Sequence, residues 1–366
     1  MPESFEPIRV IQWATGSIGK FTIDTCRKNT AFELVGCYVH SPQKAGLDAG
    51  EIAGVGPLGV VATNDMAEVL GIDADVVLYA PLLASVDEIC RILEAGKNVV
   101  TPTGFTSIRD EQVAARIGAA CQKGGVSFHG SGIHPGFSGD RLPLILSAMS
   151  QRIDRIIVYE VVDMSRVNES WDMVEMLGFD MTPEAARANP PGLLEVMSGI
   201  FFESIALVAE GLGVEIERYE KHHEFALAKR DITVDLELGT KTGTIRKGHV
   251  AGQSFDYRGM VGDDAIIDFR TRWKMGNNLE PDWPFDDPWY YEIIIEGEPP
   301  LRIKFTCGAE DGHDSAAYGL LCTAMNCINS IPAVVAAAPG VRTQLDLPLV
   351  RAVNAFRPKS GHATGQ

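Results

Sequence analysis

The first 135 residues alternate between short runs rich in β-branched residues and helix-like segments, and few folds accommodate such an order. Helix-like segments such as SVDEICRILEAGK (85–97) place apolar residues three and four positions apart and have glycine near their ends, and Ser85 with Glu88 forms a capping box. The β-branched runs are IRVIQWA (8–14), FELVGCYV (32–39), DVVLYA (75–80), NVVTPT (98–103) and VSFHGSG (126–132). Strands that alternate with helices predict an α/β fold, a doubly wound parallel sheet of the Rossmann type, over residues 1–140.

The pattern changes after residue 150. The strand-like run IDRIIVYEVVDM (153–164) is followed by helical segments at 171–178, 182–188 and 192–212. Six β-rich runs then follow without intervening helices: HHEFALA (222–228), ITVDLELG (232–239), HVAGQSFDYRGMV (249–261), AIIDFRTRWKM (265–275), YYEIIIEG (290–297) and LRIKFTC (301–307). Successive strands predict a mainly antiparallel sheet, and thus an α+β substrate and dimerisation domain over 141–310. We expect the helical segment 311–366 to pack back on the first domain.

Composition excludes several classes of protein. The 49 acidic residues outnumber the 32 basic ones, for a net charge of −17, so the surface as a whole repels nucleic acid. The longest strongly apolar segment, IPAVVAAAP (331–339), is too short to span a bilayer. The seven cysteines contain no C-x-x-C pair and the N-terminus lacks a signal-peptide core, so we expect a cytoplasmic protein without a bound metal.

The loop after the first strand resembles the dinucleotide fingerprint G-x-G-x-x-G, with Ala14, Gly16 and Gly19 at the three glycine positions. The remaining glycines are those for close approach of the pyrophosphate and for packing of helix on strand. We expect Thr15, Gly16, Ser17, Ile18 and Gly19 to contact the phosphates at the start of the helix. An ordinary turn is the alternative, and the strand before and helix after favour the nucleotide.

The turn after the second strand, HSPQK (40–44), contains no acidic residue. Proteins strict for NAD usually place Asp or Glu here to hold the ribose 2′-hydroxyl. His40, Ser41 and Lys44 instead suit a 2′-phosphate, so we predict that the cofactor is NADP, with NAD possible. A solvated loop lysine is the alternative for Lys44.

Ligands of such sheets bind beyond the carboxyl ends of the strands. Two further strands end at Ala80-Pro81 and at Thr101-Pro102-Thr103, so we expect Ala80, Pro81, Thr101 and Thr103 beside the ribose and nicotinamide. The prolines could also be plain strand terminators.

The glycine-rich stretch HGSGIHPGFSGD (129–140) follows the last predicted strand of this sheet. His134 is the polar group that we expect beside the substrate, as catalytic proton donor or as anchor. Phe137, Asp163, Trp171 and Glu175 are further candidates for the wall of the substrate pocket. A structural histidine is the alternative for His134, and a core position is the alternative for Trp171.

Eight motifs in this order resemble the NAD(P)-dependent amine dehydrogenases and 2,4-diaminopentanoate dehydrogenase, with a first domain of dihydrodipicolinate-reductase type. They are ATGSIG (14–19), SPQKAG (41–46) with DAGE (48–51), DVVLYAPL (75–82), GKNVVT (96–101), GSGIHPGF (130–137), WDMVEMLGF (171–179), IEGEP (295–299) and NSIPAVVAAAPG (329–340). The resemblance implies a homodimer that moves a hydride between nicotinamide and a small amine or ketone. The substrate would lie in a cleft roofed by the second domain.

Two positions depart from that family. Its proton-handling Glu follows the GKNV strand, where this chain has Thr103 and Gly104, and its Asn in the later glycine-rich motif is His134 here. The primary hypothesis is therefore an NADP-preferring oxidoreductase acting on C=N or C=O centres. A carbonyl or imine reductase without ammonia chemistry, with His134 as proton donor, is one alternative. A catalytically inactive NADP-binding sensor or structural protein is the other.

Overall fold

The computed structural model of the chain describes residues 6–166, 171–188, 192–236, 241–284, 287–308 and 315–356. The end of the predicted ITVDLELG run and the start of the predicted 311–366 segment lie outside these residues. The strands of the first domain are β1 (Ile8–Trp13), β2 (Phe32–Tyr38), β3 (Ala62–Thr63), β4 (Val76–Tyr79), β5 (Asn98–Thr101) and β6 (Ser127–Gly130). With β16 (Gly340–Val341) they form one parallel sheet in the order β3-β2-β1-β4-β5-β6-β16. The predicted Rossmann-type sheet is confirmed, and its order reverses between β1 and β4.

Helices connect these strands over both faces of the sheet. They are α1 (Ser17–Lys28), α2 (Ala49–Ala53), α3 (Met66–Leu70), α4 (Val86–Glu94) and α5 (Glu111–Gly124), followed by α6 (Arg141–Ser147). Side chains of Asp48, Asp65, Ser85 and Asp110 accept backbone N–H groups at the first turns of α2 to α5 and so fix where these helices begin.

The second domain contains one large mixed sheet and a short hairpin. Its helices are α7 (Trp171–Met176), α8 (Pro183–Ala188) and α9 (Gly192–Leu212), with one 3-10 turn at Met164–Arg166. Its strands are β7 (Arg152–Asp163), β8 (Arg218–Ala228), β9 (Ile232–Leu236), β10 (Lys241–Ile245), β11 (Val250–Val261), β12 (Asp264–Lys274), β13 (Leu279–Glu280), β14 (Trp289–Glu298) and β15 (Leu301–Thr306). The sheet runs β13-β8-β11-β12-β7-β14-β15, antiparallel except for the β12–β7 pair. The predicted mainly antiparallel sheet is confirmed.

Alternation along the strands separates an apolar face of this sheet from a polar one. On β12, Ile267, Phe269 and Trp273 face the core under α9, whereas Asp268 and Arg270 pair with each other away from that core. The apolar side of the second sheet therefore packs on helix α9.

The helix α10 (Ser315–Val335) brings the chain back to the first sheet. Its Cys327, Ile328 and Ile331 are buried against β1, β4 and β5 residues such as Val10 and Val100. By length and composition its segment Tyr318–Val335 is apolar enough to cross a membrane, with mean hydropathy 1.3. In this fold it is a core helix, because its buried side packs on the parallel sheet.

Candidate functional site

The loop between β1 and α1 is built for close approach of a ligand. Ala14 adopts the left-handed φ of 69°, the conformation that glycine usually supplies, and Gln12 Nε2 donates to its carbonyl at 2.8 Å. A Cβ on Gly19 would lie 2.2 Å from that same carbonyl oxygen, so only glycine fits at this position in the first turn of the helix. A Cβ on Gly16 would meet nothing within 4 Å. The loop therefore leaves open space above the amides at the start of α1, which fits a pyrophosphate.

The turn after β2 lies beside this loop. Lys44 Nζ donates to Thr15 Oγ1 at 3.1 Å, so the cation is held against the phosphate loop. Ser41 Oγ donates to Gln43 Oε1 at 2.7 Å within the turn. His40 Nε2 lies 3.1 Å from Oε1 of a carboxylate that the sequence analysis did not place here, Glu88 of α4.

The predicted capping box of Ser85 and Glu88 at the start of α4 is only half formed. Ser85 Oγ accepts the Glu88 N–H at 3.3 Å, the first half of a capping box. The Glu88 side chain, however, does not return to the Ser85 amide. Its Oε2 accepts Tyr79 Oη at 2.7 Å and Trp13 Nε1 at 3.3 Å, which ties the ends of β1 and β4 together.

One cleft of about 930 Å³ joins the two domains at the carboxyl ends of β1, β4, β5 and β6. Its floor consists of the loops after these strands, and its roof consists of α7, α9 and α10. The lining residues are Gly16, Ser17, Ile18, Ala80, Pro81, Leu82, Leu83, Ala84, Pro102, Thr103, Phe105, His134, Pro135, Met173, Val196, Met197, Gly199, Ile200, Glu203, Leu320 and Thr323. The structure thus brings together several of the residues predicted from sequence, including Gly16, Pro81, Thr103 and His134.

The loop after β5 has an unusual backbone. Gly104 has φ of 97° and Phe105 has φ of 63°, a left-handed conformation that is costly for a residue with a side chain. Thr101, fully buried below the cleft, has its Oγ1 2.7 Å from Thr103 Oγ1 and accepts the Thr103 N–H. This loop is where the sequence analysis found no glutamate.

A carboxylate reaches that loop from α9. Oε2 of Glu203 accepts the Thr106 N–H at 3.1 Å, directly after the strained residues. Burial raises the pKa of Glu203 to about 8, although the amides of Phe105, Thr106 and Ser107 oppose the shift. Glu203 was not predicted from the sequence. The available signal was a lone acid within the apolar stretch VMSGIFFESIALVA (196–209).

His134 is enclosed by the rings of Phe201, Phe269 and Tyr291, with centroids 4.9–5.8 Å away. Ser138 Oγ donates to the carbonyl of residue 133, so it accepts from Nδ1 of His134 at 2.9 Å. This pattern leaves Nε2 without a proton, and that atom is buried with no partner among the described residues. Burial lowers the pKa of His134 to about 3, so the ring is neutral at physiological pH.

The other predicted substrate residues lie outside the cleft lining. Phe137 faces a separate cavity on the far side of the glycine-rich loop, where it packs on Phe305. Asp163 accepts N–H groups of residues 165 and 276 and thus fixes two turns. Trp171 Nε1 donates to Glu175 Oε1 at 2.8 Å along α7. The residue of α7 that lines the cleft is the one between them, Met173.

Polar groups of the cleft do not form a metal site. In the described part of the chain, no three His, Cys, Asp or Glu side chains cluster as ligands would. The chemistry available at the strand ends is hydrogen bonding by amides and hydroxyls, one carboxyl group and one neutral imidazole.

Comparison with known proteins agrees with this arrangement. The family profile of the dihydrodipicolinate reductase N-terminus matches residues 10–126, and that of the 2,4-diaminopentanoate dehydrogenase C-terminal domain matches residues 137–361. An amine dehydrogenase of Streptomyces virginiae is 30% identical over 94% of this chain and 98% of its own length. The 2,4-diaminopentanoate dehydrogenase of Acetoanaerobium sticklandii is 24% identical, over 95% of each chain.

A solved structure has the same fold. The amine dehydrogenase from Mycobacterium smegmatis superposes with a TM-score of 0.76 over 95% of this chain and 98% of its own. Its sequence identity is 21%, so this likeness concerns the arrangement of domains.

Proposed function

This chain belongs to the family of amine dehydrogenases and 2,4-diaminopentanoate dehydrogenase, which are NAD(P)-dependent oxidoreductases, and from that premise we propose that it is an NADP-preferring amine dehydrogenase. The observation on which the proposal depends is the interdomain cleft at the carboxyl ends of the parallel strands. Such a crevice is where doubly wound sheets bind their ligands. The substrate would be a small amine or ketone, and the reaction would be reversible deamination.

The chain's own residues would hold the cofactor along the floor of the cleft. The amides of Gly16, Ser17 and Ile18 would bind the pyrophosphate, and the space above Gly16 is open for it. Ala80, Pro81 and Thr103 would lie beside the ribose and nicotinamide. When bound, the cofactor exchanges a hydride with the substrate carbon, and the protein supplies orientation and proton transfer.

The turn after β2 supports a preference for NADP. Lys44 lies against the phosphate loop, and its amine has no carboxylate partner among the described residues. The nearby carboxylate of Glu88 is already engaged by Tyr79, Trp13 and His40. A cation whose charge is not neutralised suits a 2′-phosphate, so we propose NADP as the preferred cofactor and NAD as the weaker one.

The apolar roof of the cleft supports a proposal for the class of substrate. Met173, Val196, Met197 and Ile200 are apolar, and no lysine or arginine is among the described lining residues. A substrate carboxylate would find no cation there and would lose hydration without compensation. We therefore propose an amine with an apolar body and no carboxylate, which differs from the amino acid in the second relative's name.

Ammonia dependence of ketone reduction tests the proposal. Purified protein is incubated with NADPH and a panel of small apolar ketones, with and without ammonium, and the products are identified. We expect amine formation only with ammonium, and faster turnover with NADPH than with NADH. Alcohol formed at the same rate without ammonium would instead establish a carbonyl reductase. Tight cofactor binding with no turnover would establish a sensor or structural protein.

The proposal includes a cytoplasmic homodimer. Its support is the family resemblance and, for the compartment, seven cysteines without a paired motif. Among the described residues the cysteines are all free thiols. A solution mass of one chain would contradict the dimer.

A further inference from the structure

We propose that Glu203, delivered from α9 to the loop after β5, is the catalytic carboxyl group that takes and returns the proton of the substrate nitrogen. The inference rests on the proposed amine dehydrogenase function and names the group that performs its proton transfer. Deprotonating an ammonium group needs a positioned base, which typically accelerates such reactions about 10²–10⁴-fold. The loop after β5 contains no acidic residue of its own between positions 102 and 109.

The position of Glu203 is the first argument. Among the described lining residues of the cleft it is the one carboxylate, and it lies in the roof opposite the loop after β5. Its Oε2 accepts the Thr106 N–H at 3.1 Å, and this bond anchors the carboxyl group to the loop. The Glu203 side chain thus lines the cleft while the amides of Phe105, Thr106 and Ser107 lie beside its carboxyl group.

The loop is shaped around this carboxyl group. The left-handed backbone of Gly104 and Phe105 turns the following amides toward α9, and Gly104 packs on Ile200, one helical turn before Glu203. A Cβ on Gly130 would lie 2.4 Å from the carbonyl oxygens of Gly104 and Phe105, so β6 also holds the bend in place. An energetically unfavourable backbone conformation that is fixed by packing, here by α9 and β6, is typical of functional sites.

The electrostatic surroundings suit proton transfer in both directions. Burial raises the pKa of the Glu203 carboxyl to about 8, and the cation that opposes this shift, Arg109, is stacked on Tyr219 with its guanidinium carbon 3.8 Å from the ring centroid. A carboxyl group that titrates near physiological pH can both donate and accept a proton. His134 lacks this property, because its neutral ring presents an enclosed, unprotonated Nε2.

Other buried carboxylates have structural partners. Asp140 accepts the amides of Gly136 and Arg141 and lies under the glycine-rich loop. Glu160 accepts Tyr291 Oη at 3.1 Å within the second-domain core. Neither lines the cleft.

Atoms and electrons balance in the proposed step. The Glu203 carboxylate takes one N–H proton from the substrate ammonium, and the freed lone pair forms C=N as the adjacent C–H bond breaks. The two electrons of that bond leave as hydride to the oxidised nicotinamide. Water then adds to C=N, and the carboxyl group returns its proton to the departing nitrogen. An alkylammonium, oxidised cofactor and water thus give a ketone, reduced cofactor, ammonium and one proton.

The test compares Glu203→Gln, Glu203→Asp and the control Glu210→Gln in the full-length protein. The glutamine retains an oxygen that accepts the Thr106 N–H, and Glu210 is an exposed acid of the same helix. The measurements are amine oxidation as a function of pH, NADPH affinity, thermal midpoint and the infrared carboxyl band of the unliganded protein. We expect Glu203→Gln to lower kcat roughly 100-fold or more, with unchanged NADPH affinity and a thermal midpoint no lower than that of the wild type.

The remaining readouts separate catalysis from structure. The ionisation in the wild-type rate profile should be absent from Glu203→Gln. Its protonated-carboxyl infrared band at neutral pH should be weaker than in the wild type, because Glu160 still contributes to that band. Glu203→Asp should regain part of the rate, and Glu210→Gln should match the wild type.

Wild-type kcat in Glu203→Gln would overturn the role of Glu203 and leave the proposed function intact. Carbonyl reduction without ammonia in the wild type would overturn the proposed function. If Glu203→Gln then lost this carbonyl reductase activity by a similar factor of roughly 100, the result would still support proton transfer by Glu203. A wild-type protein without turnover would overturn both.

Discussion

Gly16 and Gly19 lie three residues apart in one loop, yet a methyl group on each would meet different surroundings. On Gly16 it would point into open space, and on Gly19 it would lie 2.2 Å from the carbonyl oxygen of Ala14. We expect Gly16→Ala to weaken NADPH binding roughly 10-fold while the free energy of unfolding stays constant. We expect Gly19→Ala to lower that free energy by about 1–3 kcal/mol, because the backbone must move apart.

Isothermal titration with NADPH and urea unfolding measure the two effects on the same samples. Gly118, in the middle of α5 with nothing within 4 Å of an added methyl group, provides the control substitution to alanine. Unchanged NADPH affinity in Gly16→Ala would show that the cofactor does not approach this loop as we propose.

Lys44 is the residue that should separate the two nicotinamide cofactors. Its amine is fixed 3.1 Å from Thr15 Oγ1, and a hydrogen bond to a charged group contributes about 1.5–3 kcal/mol. Lys44→Ala should therefore lower kcat/KM for NADPH roughly 10- to 100-fold and leave that for NADH nearly unchanged. Lys123→Ala, whose amine pairs with Glu94 on the outer helices, is the matched control. Equal losses with both cofactors would contradict a 2′-phosphate contact.

The helix α10 illustrates how tertiary context decides between two interpretations of one apolar segment. Its Ile331 is fully buried in the cluster beneath the parallel sheet. Ile331→Ala should lower the free energy of unfolding by about 2–5 kcal/mol, since both apolar contact and volume are lost. Leu349→Ala, at a position that is 69% exposed, should change it little. Urea unfolding of both variants measures this, and equal small effects would contradict a core helix.

The order of strands and helices could be predicted from sequence because hydrophobic periodicity is a local property. The five runs of the first domain correspond to β1, β2, β4, β5 and β6, whereas β3 and β16 were missed. Each has only two residues and pairs through backbone groups, so neither produces a pattern. The parallel pairing of β12 with β7 was also missed, because it depends on a return across the sheet.

The site could be predicted only where its residues follow a strand. Gly16, Pro81, Thr103 and His134 line the cleft, and each lies at a strand end. Glu203 comes from a helix about one hundred residues beyond the loop that it contacts, and local patterns contain no information on that contact. The same holds for Glu88, whose role in a helix cap was predicted but whose side chain joins β1 and β4.

The molecule as a whole buries several ionisable groups in both domains and at the cleft, and burial is the main cause of their pKa shifts. The pKa is lowered to about 4 in His129 and to about 3 in His134, and raised to about 7 in Glu160 and to about 8 in Glu203. Stability rises with pH wherever the unfolded chain binds more protons than the folded one, and falls where it binds fewer.

These four groups predict a plateau of stability in the mildly acidic range. Below pH 6.5, the ordinary pKa of histidine, His129 and His134 bind protons in the unfolded chain but stay neutral in the folded one. Acid therefore destabilises the fold. Above the ordinary glutamate value of 4.5, the folded chain holds protons on Glu160 and Glu203 that the unfolded chain releases, so rising pH destabilises it. Between pH 4.5 and 6.5 the histidine and glutamate effects oppose each other. Below this range only the histidine effect remains, and above it only the glutamate effect.

Glu203→Gln isolates one part of this profile. The wild-type free energy of unfolding should fall as pH rises toward about 8, where Glu203 ionises in the folded protein, and then level off. Glutamine cannot ionise, so the variant should fall less steeply over that range and should gain stability relative to the wild type as pH increases. Urea unfolding at a series of pH values measures the difference, with Glu210→Gln following the wild-type curve. Parallel curves for wild type and Glu203→Gln would mean that the carboxyl group is already ionised in the folded protein at neutral pH, because a group with an ordinary pKa contributes no such slope.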